Sequence, residues 1–128
     1  MKNFEELDIW RQGCQLAVDI YQVTEEGPFS KDFGLRDQIR RSAVSIPSNI
    51  SEGKERETVK ELIRYLYIAK GSAGELRTQL YIAHSIGFLD IYQHNSLSER
   101  ATTLSKQIGS FIRKLKGGRV TEPADYSE

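Results

Sequence analysis

A chain of 128 residues with 38% hydrophobic and 28% charged side chains has the size and usage of one globular domain, long enough to bury a core without staples. Eighteen basic residues balance eighteen acidic ones, which excludes the overall basic excess of a dedicated nucleic-acid binder. No apolar run approaches the roughly 18 residues of a membrane helix, so a membrane partner is not expected. The opening MKNFEELDIW sets three carboxylates where a secretory signal would carry basic and then apolar residues. Together with a single cysteine, Cys14, which cannot close an internal disulfide, this makes the cytoplasm the expected location.

The charge is uneven along the chain. Residues 1–30 hold two basic against six acidic side chains, residues 31–60 seven against five, and residues 91–118 five against one. Local polarity of this kind can steer an anionic partner, although helix surfaces also scatter charge for solubility.

Four amphipathic segments follow one another. The first runs from about Phe4 to Glu25, with Leu7, Trp10, Cys14, Ala17 and Tyr21 at alternating steps of three and four, until Gly27-Pro28 ends it. The second opens near Ser30 and carries Leu35, Ile39, Ala43, Ile46 and Ile50 toward Gly53, a glycine placed to terminate a helix. Pro47 interrupts it at a cost on the order of 3 kcal/mol. Because Ile50 keeps step with Ala43 and Ile46 across the proline, the expectation is one kinked helix rather than two.

The third segment, about 59–88, alternates steps of four and three through Leu62, Leu66, Ala69, Ala73, Leu76, Leu80, Ala83 and Gly87. Thr58 and Glu61 read as a capping box at its start. Gly71 and Gly74 suggest the close approach of a neighbouring helix, since each weakens an isolated helix by about 1 kcal/mol. Ile63, Tyr65, Tyr67, Ile68, Ile82 and Ile86 lie off the main seam, more apolar surface than one buried face needs, which points to a central helix that also meets another subunit. Asp90 and Gln93 cap the fourth segment, whose stripe is Leu97, Ala101, Leu104, Ile108, Phe111 and Leu115. Arg113, Lys114 and Lys116 complement its dipole before Gly117-Gly118 stops it. The expected fold is therefore all-α, an antiparallel up-and-down four-helix bundle over residues 1–118, with a disordered tail at 119–128.

The run Gly34-Leu35-Arg36-Asp37-Gln38-Ile39-Arg40-Arg41-Ser42-Ala43-Val44-Ser45-Ile46-Pro47-Ser48-Asn49-Ile50-Ser51-Glu52-Gly53 resembles the signature of the 23S rRNA intervening-sequence proteins. Ala69-Lys70-Gly71-Ser72-Ala73-Gly74-Glu75-Leu76, the Leu7-to-Trp10 opening and the Ile86-Gly87-Phe88-Leu89 turn extend the resemblance over about residues 4–116. It implies a four-helix bundle assembled as a homopentamer, with a poorly defined role. A related branch, the accessory proteins of diversity-generating retroelements, binds a reverse transcriptase and nucleic acid. That branch is strongly basic, whereas this chain is neutral.

Ser42, Ser45, Asn49 and Glu52 share one face of the second helix, and Ser72 and Glu75 are neighbours on the third. A polar pocket is one reading, and a hydrogen-bonded network between closely packed helices is the favoured one. Asn49 is expected to bridge backbone freed by Pro47, with Glu52 or Glu75 as its partner. Arg36, Arg40, Arg41, Lys54 and Arg56 make a candidate phosphate strip, set against the ion pairs that the interleaved Asp37, Glu52, Glu55 and Glu57 would form.

No cofactor or metal is expected. A di-iron bundle needs Glu-x-x-His pairs, and Tyr81 and Ile91 stand three residues before His84 and His94. Nothing around Cys14 would activate a thiolate. The expected function is a non-enzymatic oligomeric scaffold that engages a protein partner. The alternative is an accessory protein bound to structured RNA or DNA through the Arg36/Arg40/Lys54/Arg56 region or the basic fourth helix.

Overall fold

The computed structural model describes residues 3–117 and 128, and among them the regular structure is entirely helical. Four long helices, α1 (Asp8–Thr24), α2 (Phe33–Lys54), α3 (Val59–Ser85) and α4 (Ile91–Lys116), form a bundle. Short 3-10 turns at Phe4–Glu6 and Gly27–Lys31 precede α1 and α2. The expected tail lies outside the described residues except for Glu128, whose carboxylate accepts the Asp8 and Ile9 amides at the start of α1.

The core is built on α3. Leu62, Leu66, Ala69, Ala73, Leu76, Leu80 and Ala83 are all fully buried, so the four-three seam is the surface on which α2 and α4 pack. The alanines leave space that Ile39, Ile46 and Ile50 of α2 and Leu104, Ile108 and Phe111 of α4 fill. Successive contacts along α2 meet progressively earlier residues of α3, from Ser45 against Ser72 to Gly53 against Leu62 and Tyr65. The same order holds between α3 and α4, where Tyr67 meets Lys116 and His84 meets His94.

The caps explain where the helices begin. Asp90 Oδ1 accepts the Gln93 amide at 2.8 Å while Gln93 Oε1 accepts the Asp90 amide at 3.0 Å, a complete capping box on α4. On α3, Thr58 Oγ1 accepts the Glu61 amide at 3.2 Å. The Glu61 carboxylate turns instead toward Arg56, at 3.8 Å from its Nε, so the reciprocal half expected of that box is not made. Gly87 falls outside α3 in a turn with φ of 87°, a left-handed conformation that suits glycine and ends the helix at Ser85 rather than near residue 88.

Three expectations are corrected. The buried stripe of α1 is Ile9, Gly13, Leu16, Ala17, Ile20 and Thr24, whereas Trp10 and Cys14 lie on its flank and Tyr21 is exposed. Leu7 is buried but stands before the helix, following a 3-10 turn, so it does not set the helical phase of the residues after it. Trp10 packs edge-on against Phe4 with ring centroids 5.5 Å apart. α2 opens at Phe33, not near Ser30, because the Asp32 side chain accepts the Leu35 amide at 3.0 Å and caps it there. Gly53 lies inside α2 rather than beyond its end, at a close approach to α3 where a Cβ would sit 2.8 Å from the Tyr65 Cβ.

α2 continues unbroken through Pro47. The proline ring is buried against Gly13 of α1, where an added Cβ would come within 3.2 Å of Pro47 Cδ. Contact with α1 therefore offsets part of the cost of an interior proline.

Candidate functional site and family

Three of the residues singled out on the second and third helices come together. Ser45 Oγ and Ser72 Oγ are 2.9 Å apart across the α2–α3 interface, and Asn49 Nδ2 donates to the Ser45 carbonyl at 2.8 Å and to Ser45 Oγ at 2.9 Å. Ser42 is buried on the same side of α2. Proline at 47 leaves the Ala43 carbonyl without its helical donor, whereas Asn49 donates to the carbonyl of Ser45, so the expected bridge to backbone freed by Pro47 is not the contact made. The partner of Asn49 is Ser45 and not a carboxylate. Glu52 pairs with Arg56 at 2.7 Å, and Glu75 is exposed on α3.

The proposed cationic strip is largely drawn into the fold. Arg40, its side chain 13% exposed, donates to Thr24 Oγ1 at 2.8 Å and to Glu25 Oε1 at 2.9 Å and covers the Tyr21 ring. It thereby meets the carboxyl end of α1, where the helix dipole favours a cation. Arg36 donates to the Ser30 carbonyl at 3.0 Å and stacks on Phe33. Arg56 bridges Glu52, Glu61 and the Tyr65 hydroxyl. Lys54 is buried, and Arg41 is exposed beside a cavity of about 480 Å³ shared with Tyr21, Asp37, Val44 and Ser45. The five residues thus do not present one continuous free surface.

A different cationic group gathers at the junction of α3 and α4. Lys116 Nζ donates to the Tyr67 hydroxyl at 2.6 Å and lies 5.0 Å from the centre of its ring. Gly109 brings α4 close to the stem of Lys70. A Cβ there would lie 3.3 Å from Lys70 Cε and 3.5 Å from Arg113 Nη1. Arg64 stands one turn before Tyr67 on α3. The basic end of α4 was legible in the sequence, but its meeting with Lys70 depends on Gly109, an unremarkable glycine in a helical stripe.

Of the remaining candidates, His84 and His94 stack with ring centroids 5.0 Å apart, and His84 Nδ1 lies 2.9 Å from the Leu89 carbonyl, which fixes the turn between α3 and α4. Among the described residues no three His, Cys, Asp or Glu side chains converge as metal ligands. Burial pushes the Cys14 thiol above its ordinary pKa, which lowers its thiolate fraction at neutral pH.

The outward surface of α3 is the other distinctive feature. Tyr67, Ile68, Tyr81 and Ile82 are exposed there by 48, 41, 65 and 44%, and Ile86 continues the strip. Between them lie Gly71 and Gly74, and a Cβ on either would meet nothing within 4 Å among the described residues. None of these makes the close approach expected at the two glycines. Ile63 and Tyr65 are half-buried, so only part of the surplus apolar surface is used internally.

No curated protein matches the chain in sequence. Among solved structures, a protein of unknown function from the S23 ribosomal protein family of Bacteroides thetaiotaomicron VPI-5482 has a TM-score of 0.76 and 26% identity, covering 82% of this chain and 98% of that one. The family model for the 23S rRNA-intervening sequence protein matches residues 5–110, the span from the 3-10 turn before α1 to the last turns of α4. The chain belongs to the 23S rRNA-intervening sequence protein family.

Proposed function

We propose that this chain is the subunit of a homo-oligomeric helical scaffold, with the outward face of α3 covered by a second copy. The supporting observation is the pairing of two open glycines with exposed isoleucines and tyrosines on one helix face. Glycine inside a helix costs about 1 kcal/mol relative to alanine. At Gly13, Gly53 and Gly109 the cost has an internal reason, because a neighbouring helix lies within 3.3 Å of where a Cβ would be. At Gly71 and Gly74 there is no such neighbour among the described residues, and a second subunit's helix would supply one. Glu75 beside this face, with Lys70 and Arg77, gives it charges of both signs for a like surface to meet.

The role is architectural in this reading. The residues that look most like a site, Ser45, Asn49 and Ser72, hold α2 to α3, and the assembly presents a repeated surface to its partner. Light scattering on the purified chain tests it. The expected mass is a multiple of 14.6 kDa, with five copies as the family resemblance implies, and a monodisperse monomer at working concentration would sink the reading.

A further inference from the structure

We infer that the seam between α1 and α4 is a docking groove for an extended, acidic peptide segment of a partner protein, whose carboxylate seats at the amino end of α1. This goes beyond the scaffold reading and uses different helices from the outward face of α3. Two adjoining cavities of about 560 and 450 Å³ run along the seam and share Gln12 and Thr103. Buried Leu16 and Leu104 floor the first, and buried Ile9 and Phe111 floor the second. The groove runs from Asp8 to Arg100, whose ion pair with Asp19 at 2.7 Å closes the far end.

The near end already holds a carboxylate. Glu128, 120 positions along the chain from Asp8, accepts the Asp8 amide, and it accepts the Ile9 amide at 2.8 Å. The first amides of a helix lack intrahelical acceptors and the helix dipole adds positive potential there, so an anion is stabilised at this point. Lys106 and Lys114 line the same cavity as Glu128, while Arg11 holds the Asp8 carboxylate at 2.8 Å. Capping alone would account for a carboxylate at the helix end, but not for the open volume that continues from it to Gln12 and Thr103. Glu128 thus marks the anchor, and the groove is room for the residues that flank an anchoring carboxylate.

The walls decide the kind of segment. Gln12 and Gln15 of α1 and Thr103 and Gln107 of α4 line the two sides, and all four side chains both donate and accept hydrogen bonds. An extended backbone presents a donor and an acceptor at nearly every residue for such groups to meet. An apolar helix face would bury them without partners and lose their hydration. A nucleic-acid strand would meet Asp19 and Glu99 at the far end, where like charge repels it. Eleven positions separate Asp8 from Asp19, a rise of about 16 Å that about five extended residues span.

The test is fluorescence anisotropy on the full chain with a labelled, carboxyl-amidated peptide RVTEPADYSE, which carries the Glu128 carboxylate among its own neighbours. Because Glu128 competes for the anchor in the wild type, the Glu128→Gln chain should bind the peptide about tenfold more tightly. Changing only the peptide's final Glu to Gln should weaken its binding to that chain about tenfold, since a charge-assisted hydrogen bond is lost. A scrambled peptide of equal composition should bind at least about fivefold more weakly. Gln12→Glu with Thr103→Glu, added to Glu128→Gln, sets negative charge on both walls and should weaken binding at least about fivefold. Gln38→Glu with Ser48→Glu on the exposed surface of α2 makes the same charge change and should leave affinity within about twofold. No binding by Glu128→Gln, equal binding of the native and scrambled peptides, or equal losses in the two pairs would each overturn the assignment. Light scattering on both pairs separates it from the assembly, since the mass should be kept. Dissociation confined to the groove pair would give the seam to a second copy and overturn it as well.

Discussion

Asn49 shows how far a single residue can be read. Its position two residues after Pro47, on a face with Ser42 and Ser45, marks it as a local hydrogen-bonding residue, and its side chain does bond the Ser45 carbonyl and hydroxyl. The choice of partner was not legible, because Glu52 finds Arg56 one turn later and the Ser45–Ser72 contact depends on how α2 and α3 are aligned. Gly13 was silent in the sequence for the same reason. Its value lies in Pro47, 34 positions away, against which only a residue without a side chain fits closely. Asn49→Ala removes both bonds from a half-buried site and should cost about 1–2 kcal/mol. The melting temperature should drop by a few degrees, whereas Glu52→Ala, which loses an exposed ion pair, should shift it by less. Equal melting curves for the wild type and Asn49→Ala would remove the residue from the interface network.

At the scale of helices, legibility followed the strength of the periodic signal and of the caps. α3 was readable to within a few residues, because its seam runs without interruption and Thr58 marks its start. α4 was readable at its amino end from Asp90 and Gln93, which form the reciprocal pair that their spacing implies. α1 was assigned as a helix but with its face displaced, because Leu7 precedes the helix and the apolar Trp10 and Tyr21 lie outside the core. Large amphipathic side chains at helix flanks are poor guides to the buried direction. The Phe29–Phe88 contact, with ring centroids 5.3 Å apart, ties the turn before α2 to the turn before α4 and has no local signature at all. Asp90→Ala should cost about 1 kcal/mol and act locally. Amide exchange should speed up in the first turn of α4, at Tyr92, Gln93 and His94, while the α3 amides around Ala69 to Leu76 keep their protection. Uniform acceleration across both helices would instead mean that this cap controls global unfolding.

For the molecule as a whole, the decisive question is whether a second copy covers α3, and stability measurements answer it independently of mass. When a second copy binds only the folded subunit, mass action raises the melting temperature with protein concentration. An isolated bundle would melt at one temperature across a hundredfold dilution. Gly71 makes the distinction sharp, because a Cβ there touches nothing within 4 Å among the described residues. Replacing it with arginine places a far better helix former at an exposed site and should stabilise the lone subunit by up to about 1 kcal/mol. The same side chain would block close approach of a second helix and set a charge against Ile68 and Ile82. Gly71→Arg should therefore melt higher than the wild type at the lowest concentrations, lower at the highest, and show no concentration dependence between. A wild-type melting temperature that stays constant on dilution would leave the open glycines without an assembly role. Curves for Gly71→Arg that cross those of the wild type would tie the glycine's cost in the subunit to its value in the oligomer, a trade-off that no inspection of one chain's own contacts would reveal.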